Sequence, residues 1–471
     1  TGVSVSFTGQ GVSVAGSFFE GGSTSDAVAS GLGGGAGADN LLNSSVATID
    51  VQSHARTSDT AVAVALFGVA GAGSRATAIS DGYGITGGDD ADTIMNEGTI
   101  NQATSAEAKA TSVTFSGTGA SISSAGATGH SQGTGLAGGA GDDTVTNVGA
   151  VDLTSTATAI GQSISVIAGF GGSIADANAD AIAESTGIGG NDGADVLTNA
   201  SHLGVYSNAS TKARSISYAS LGIALGEANS TSTIAVNGMS GDEGDDTIIN
   251  SETGEVVADA KATADSGSVS IALGGVADAE ARSSILADAT GLSGGAGDDG
   301  ILNAGLLNVL SHSRSTASGA SVSFFGVTGA KAGTEVETRA VGISGGFGMD
   351  YIENTGKIRV GTAEDATGDE QYMAVLRGSA TSGGLAGVAN AEASAFASTE
   401  ATGIDGGDEA DTIYNSGDII VNANSLSVTS SGSVSIFGSS SADGVAGSTT
   451  FTRGIDGGAG NDLINNSANM K

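Results

Sequence analysis

Gly135-Leu-Ala-Gly-Gly-Ala-Gly-Asp-Asp-Thr-Val-Thr-Asn147 is one of nine versions of a single thirteen-residue block. The copies begin at Gly31, Gly84, Gly135, Gly187, Gly238, Gly291, Gly342, Gly403 and Gly454. After the leading glycine, four positions keep their character: Leu, Ile or Met next, Asp at the eighth place, Leu, Ile or Val at the tenth and Asn at the twelfth. The aspartates are Asp39, Asp92, Asp143, Asp195, Asp246, Asp299, Asp350, Asp411 and Asp462, spaced 51 to 53 residues apart except for one step of 61. A fixed period of this size marks a unit that cannot bury its own apolar face and must stack on copies of itself.

Between blocks the period is two. In Ala175-Asp-Ala-Asn-Ala-Asp-Ala-Ile-Ala183 and Ala389-Asn-Ala-Glu-Ala-Ser-Ala-Phe-Ala397, alanine takes one face and polar residues mostly take the other. Alternation of this kind is the signature of a strand, and it overrules alanine's intrinsic helix preference. Each unit therefore reads as a short strand around the Asp-x-aliphatic, a turn, a long alternating strand, a Ser-Val-Ser-aliphatic strand with a Gly-rich turn, and an Ala-rich strand returning to the next block. Units made only of strands and turns stack into an all-β, parallel β-solenoid of nine repeats, one continuous array over 1-471. The chain contains no proline, as an interior ladder that needs every strand N–H requires. Small interior residues predict a thin, flattened cross-section. With about 4.8 Å per rung, nine units span roughly 43 Å at one rung each or roughly 86 Å at two. The long step predicts a surface insertion of about ten residues, containing Glu370-Gln371-Tyr372-Met373.

Composition narrows the function. The 471 residues carry 15 Lys plus Arg against 51 Asp plus Glu, a net charge of −36, which disfavours nucleic acid because a polyanion is repelled. There is no Cys, so disulfides and thiolate metal sites are excluded. No stretch reaches the roughly 18 apolar residues of a transmembrane helix. The first residues, Thr1 to Phe7, match the Ser-Val-Ser strand of a unit whose earlier part is missing, and no polar cap is evident at either end. The expectation is an array that continues, or ends that associate end to end.

The block contains Gly-Gly-x-Gly-x-Asp-x-aliphatic, as in Gly138-Gly-Ala-Gly-Asp-Asp-Thr-Val145 and Gly294-Gly-Ala-Gly-Asp-Asp-Gly-Ile301. This resembles the RTX, or haemolysin-type, calcium-binding repeat. Glycines permit the backbone conformations that aim carbonyl oxygens inward, and aspartate supplies the anionic oxygen that Ca²⁺ takes. The resemblance implies Ca²⁺ held by the nine aspartates together with the backbone of Gly139, Gly141, Gly295, Gly297, Gly458 and Gly460. In that family the nonapeptide runs in direct tandem, whereas here the blocks are interrupted by about 42 residues each. Asp89-Asp90, Asn191 and Asp408-Glu409 also depart from the glycine pattern. The six-residue windows ending on the repeated Asp hold 19 of the 51 acids and no Lys or Arg, so stacked in register they repel unless cations lie between them; the alternative is a metal-free turn, in which Asp caps the turn by bonding its own backbone. The nine Asn residues, Asn43 to Asn466, predict an internal side-chain ladder at a corner.

An enzyme is not expected. Gly291-Leu-Ser-Gly-Gly295 and Gly342-Ile-Ser-Gly-Gly346 formally match a nucleophile elbow, but other copies hold Gly33, Thr86, Ala137, Asp405 or Asp456 at the serine position. His54, His130, His202 and His312 show no metal spacing and read as surface residues. Phe67, Phe324, Phe325 and Phe437 recur at one place in the unit, which suggests packing. The expectation is a secreted or cell-surface structural protein, a calcium-stabilised scaffold, filament or surface-layer block. The alternatives are a stalk or ligand-binding region of a bacterial adhesin, with a glycan or cell-surface ligand, and a non-catalytic β-helix module of a polysaccharide-acting enzyme. An ice-binding surface would need more regular threonine rows than Thr93, Thr144, Thr247 and Thr412 provide.

Overall fold

The computed structural model describes residues 2–16, 22–362 and 367–471. It is an all-β parallel solenoid in which every unit contributes one rung. The register is explicit: Ala209 pairs with Ala157 of the preceding unit and Ala262 of the following one, and the parallel pairing repeats from rung to rung. One rung per unit selects the shorter of the two lengths, so the described rungs rise roughly 43 Å. No described helix is long and apolar enough to cross a membrane.

Three walls make up each rung. The block ends in a four-residue strand, such as Thr144–Asn147 or Thr247–Asn250, and nine of these form one parallel sheet. After the Asn corner comes one long ladder segment, such as Thr99–Ala140, Ala150–Asp192 or His202–Glu243. Each of these segments folds back on itself at a glycine with positive φ, among them Gly68, Gly119, Gly171, Gly222, Gly275 and Gly326. Contacts across the fold centre on that glycine: Ser80 Oγ meets Ser53 Oγ at 2.9 Å, Ser123 Oγ meets Ser112 Oγ at 2.8 Å and Ser121 Oγ meets Thr114 Oγ1 at 2.7 Å. Each unit thus has an outgoing arm, a tip and a returning arm. An arm of about 20 residues spans roughly 66 Å at 3.3 Å per residue, so the nine units form a slab wider than it is tall.

Side-chain size follows the width of this wedge. Where three walls meet at the base, aliphatic ladders fill the space: Ile85 to Ile404 from the second block position, Ile94 to Ile413 from the eleventh, and Ile100, Val151, Leu203 and Leu307 just past the corner, all fully buried. Each buried side chain of this class contributes about 1.5–3 kcal/mol relative to exposure. Along the arms the interior holds Ala and Ser. Ser74 Oγ donates to the carbonyl of Asp59 at 2.8 Å, and Ser215 Oγ to that of Ala175 at 2.7 Å. A hydroxymethyl group therefore crosses the whole gap, and the arms lie closer than the usual ~10 Å between packed sheets.

The insertion lies where the long step puts it. The outgoing arm of that unit is interrupted after Gly361, and a 3₁₀ turn at Gly368–Gln371 precedes the strand Ala374–Asp408. Residues 363–366 lie outside the described residues. Asp369 makes a two-pronged ion pair with Arg377, at 3.1 and 3.2 Å, and sits 3.5 Å from Arg314, which pins the turn to the outer face. Met373, expected in the surface loop, belongs instead to the wall. It is fully buried, its N–H donates to the Asn424 carbonyl and its own carbonyl accepts from Ser313.

Candidate metal centre at the aspartate corner

Between the returning arm and the short strand, six residues make a tight loop that ends on the repeated Asp. Two positions in it have positive φ, as at Gly139 (121°) and Gly141 (125°), Gly295 (114°) and Gly297 (141°), and Gly458 (83°) and Gly460 (142°). The blocks that depart from the glycine pattern keep this backbone. Asp90, Asn191, Asp242 and Glu409 occupy the same places at φ 70 to 78°, and they are the only non-glycine residues with positive φ among the described residues. Asp and Asn tolerate this region because their short polar side chains bond locally; Glu409 pays about 1–2 kcal/mol for it.

Within the loop, the aspartates from Asp92 to Asp411 are buried, Asp39 and Asp462 are part-buried, and the two oxygens of each carboxylate have different surroundings. Oδ1 accepts the backbone N–H of the aspartate one rung earlier: Asp92 N–H to Asp143 Oδ1 at 2.6 Å, Asp195 N–H to Asp246 Oδ1 at 2.7 Å, and so through all nine to Asp411 N–H and Asp462 Oδ1 at 3.1 Å. Oδ2 turns back across the loop toward the glycine five residues earlier. In eight units, Asp39 through Asp411, it is buried with no hydrogen-bond partner. That glycine has no room for a side chain: a Cβ would stand 2.2 Å from Asp195 Oδ2 at Gly190, and 2.4 Å from Asp299 Oδ2 at Gly294. The first glycine of the Gly-Gly pair is thus required by the carboxylate, and the second by its φ.

Electrostatics make this column costly. Burial raises the Asp195 and Asp299 carboxyls to about 7, and those of Asp246 and Asp350 to about 6. The N–H bond to each opposes the shift, and neighbouring acids such as Asp142, Asp245 and Asp298 add to it. Asp143 and Asp411 are raised for the same leading reason. No described ion pair reaches any of the nine. The few cations serve the arms instead, bridging acids on the next rung, as in Arg56–Glu107 at 3.2 Å.

Eight of the nine rungs offer one buried, unpartnered carboxylate oxygen, a hard ligand of the kind Ca²⁺ prefers. Successive rungs repeat it at about 4.8 Å. Among the described residues, no three carboxylates or imidazoles converge on one point, so a cation here would draw on carboxylates of adjacent rungs together with main-chain oxygens.

Below the short strand, the asparagines form the expected ladder. Each Nδ2 donates to Oδ1 of the next, from Asn43 to Asn96 at 2.7 Å through Asn415 to Asn466 at 2.6 Å. Replacing Asn250 by Ala would leave the Asn303 carbonyl without its donor and the Asn199 amide with only the Ser201 and Glu255 carbonyls, at 3.0 and 3.4 Å. The expected loss is about 2 kcal/mol, read as a lower denaturant midpoint at unchanged slope.

The remaining sequence candidates fall elsewhere. Ser293 and Ser344 lie in one column with Ser240, whose Oγ donates to Asp242 at 2.6 Å. His202 is half-buried on an outer face, 3.4 Å from Asp152 and 3.0 Å from Glu255, and His130 stands 3.5 Å from Glu184. The phenylalanines overturn the packing expectation. Phe67, Phe324, Phe325 and Phe437 sit at the tip and are 47 to 70% exposed. Their recurrence is legible in the sequence; their exposure follows from the reversal of the chain at Gly68, Gly326 and Gly438, directly after Phe67, Phe325 and Phe437. Similarity to known proteins adds no assignment: no family model, curated protein or solved structure matches this chain.

Proposed function

We propose that this protein is a non-catalytic, calcium-stabilised scaffold, a building block of a secreted or cell-surface assembly. The observation that carries this reading is the column of eight buried Oδ2 atoms that have no hydrogen-bond partner. A buried carboxylate without a partner costs several kcal/mol, and a ladder of them needs either protons or metal ions. Calcium is the metal that the RTX-like block calls for, and it is abundant outside cells. Asp39, Asp92, Asp143, Asp195, Asp246, Asp299, Asp350, Asp411 and Asp462 would hold it, beside the backbone oxygens of Gly139, Gly141, Gly295, Gly297, Gly458 and Gly460. Binding would tie adjacent rungs together and couple metal uptake to rigidity.

Equilibrium dialysis of chelator-treated protein against Ca²⁺, with circular dichroism and thermal melting in parallel, tests the proposal. Several ions should bind and raise the melting temperature. Asp299→Asn keeps the Oδ1 acceptor for the Asp246 N–H but loses the charge, so it should bind one or two fewer ions and yet melt higher than the native chain without calcium. Unchanged stoichiometry in that variant would remove Asp299 as a ligand, and absence of calcium uptake by the native chain would leave protons as the compensating charge.

A further inference from the structure

The tip edge is built inside out. In Ser215-Ile-Ser-Tyr218, Ser268-Val-Ser-Ile271 and Ser321-Val-Ser-Phe324, the serines face the interior and are buried, while Ile216, Val269, Val322 and Phe324 are exposed. Register aligns these residues into rows running the height of the slab, Val62–Val113–Ile164–Ile216–Val269 and Val64–Phe115–Val166–Tyr218–Ile271. On the returning arm, Ile223, Val276, Val327 and Val388 continue the apolar surface around the edge. No Asp, Glu, Lys, Arg or His falls in 2–16, 60–74, 110–129, 161–175, 215–226, 266–277, 315–330, 378–391 or 425–442. A chain of net charge −36 thus keeps one whole edge uncharged.

The residue just before the tip glycine shows what this edge fits. Up the nine rungs it is Gln10, Phe67, Thr118, Phe170, Leu221, Gly274, Phe325, Ala386 and Phe437. A second copy turned by a two-fold axis through the middle rung would set Phe67 against Ala386, Thr118 against Phe325, Phe170 against Gly274 and Leu221 against itself. Each phenylalanine in these pairs meets a smaller residue. Parallel apposition would instead set every phenylalanine against its own copy. We propose that the tip edge is the isologous interface of an antiparallel homodimer, with its two-fold axis at Leu221.

Area supports a second copy as the occupant. A strip about 43 Å tall and about 20 Å wide offers on the order of 800 Å², which is what one partner contributes to an interface of standard size. Exposed apolar area of this extent marks an interaction site rather than ordinary surface. Pairing tip to tip also keeps the acidic corners of the two copies as far apart as the arms allow. The proposal does not depend on the corner holding calcium.

The absence of native cysteine makes the geometry directly readable in the full chain. Under mild oxidation, Leu221→Cys should form covalent dimers by itself. Phe67→Cys alone and Ala386→Cys alone should not, but their mixture should. Phe170→Ser with Phe325→Ser should weaken the dimer by about 100-fold or more in sedimentation, with an unchanged melting temperature in dilute, monomeric solution, since both side chains are exposed. Self-linking of Phe67→Cys would mean parallel apposition and overturn the proposal. A chain that stays monomeric at all concentrations, or one that floats with phosphatidylcholine vesicles through this edge, would equally overturn it.

Discussion

Stripped of divalent cations, the protein will melt at a higher temperature at about pH 5 than at about pH 8. The reason is the direction of the aspartate shifts. Burial holds the Asp195 and Asp299 carboxyls at about 7, and those of Asp246 and Asp350 at about 6, against 3.8 in an unfolded chain. The folded state therefore keeps protons that the unfolded chain has already released. Stability from these groups is fully present below about 3.8 and drains away as pH rises through 6 and 7. Every charged group facing them is an acid: Asp142, Asp143 and Asp246 around Asp195; Asp245, Asp246 and Asp350 around Asp299; Asp242 and Asp245 around Asp246; Asp298, Asp411 and Glu409 around Asp350. With each group losing a few kcal/mol, a fall of about 10 °C or more is expected across this interval. Calcium should reverse the slope, because it competes with protons for the same oxygens and is favoured at the higher pH. Melting curves in EGTA and in calcium across the pH range check both statements. Stability in EGTA that climbs steadily from pH 5 to 8 would show that the column is neither desolvated nor unpartnered in solution.

Gly241→Ala should be strongly destabilising although its φ is not positive. Its Cβ would stand 2.2 Å from Asp246 Oδ2 and 2.4 Å from the Gly294 carbonyl of the next rung. Neither atom can yield cheaply, since Asp246 is held by its bond from the Asp195 N–H and Gly294 belongs to the ladder backbone. A loss of about 3 kcal/mol or more is expected. Gly126→Ala supplies the control. Its Cβ would meet nothing within 4 Å and its φ is not positive, so it should be neutral or stabilising by a few tenths of a kcal/mol. Chemical denaturation of the two variants beside the native chain separates a specific corner clash from a general intolerance of alanine. Equal stability of Gly241→Ala and Gly126→Ala would mean that the carboxylate is not packed against the glycine.

Much of this was legible in the residues. The spacing of the blocks dictates a stack of about 51-residue units, and alternation dictates strands. A constant Asn at each corner predicts the Nδ2-to-Oδ1 ladder that runs from Asn43 to Asn466. A scarcity of large side chains implies a thin slab, as the serine hydroxyls crossing between the arms bear out. These features depend on period, composition and local conformation, which a linear sequence carries.

Other features depend on phase and closure, which it does not. Ser215-Ile-Ser-Tyr218 alternates equally well with either face inward. The strand settles it, because an unbroken ladder carries the inward phase of Ala209 and Ala213 to Ser215, and the gap near the tip is only a hydroxymethyl wide. The same constraint turns Phe324 outward, whereas Phe67, Phe325 and Phe437 share the inward parity of Ala65, Ser323 and Ser435 and are exposed because they stand beside the tip glycine, where the chain reverses; together they make an apolar edge from what reads as core. Likewise, Asp-x-aliphatic announces an inward carboxylate, but only the stacked rungs decide that Oδ1 takes the neighbouring N–H and Oδ2 is left against a glycine. Sequence by itself determined the repeat, the strands and the residues of the corner. Tertiary structure decided which face is inside, one rung per unit, and the partner of each carboxylate oxygen, because the first is set by contacts between the facing arms and the others by distances between residues 51 or more apart in the chain.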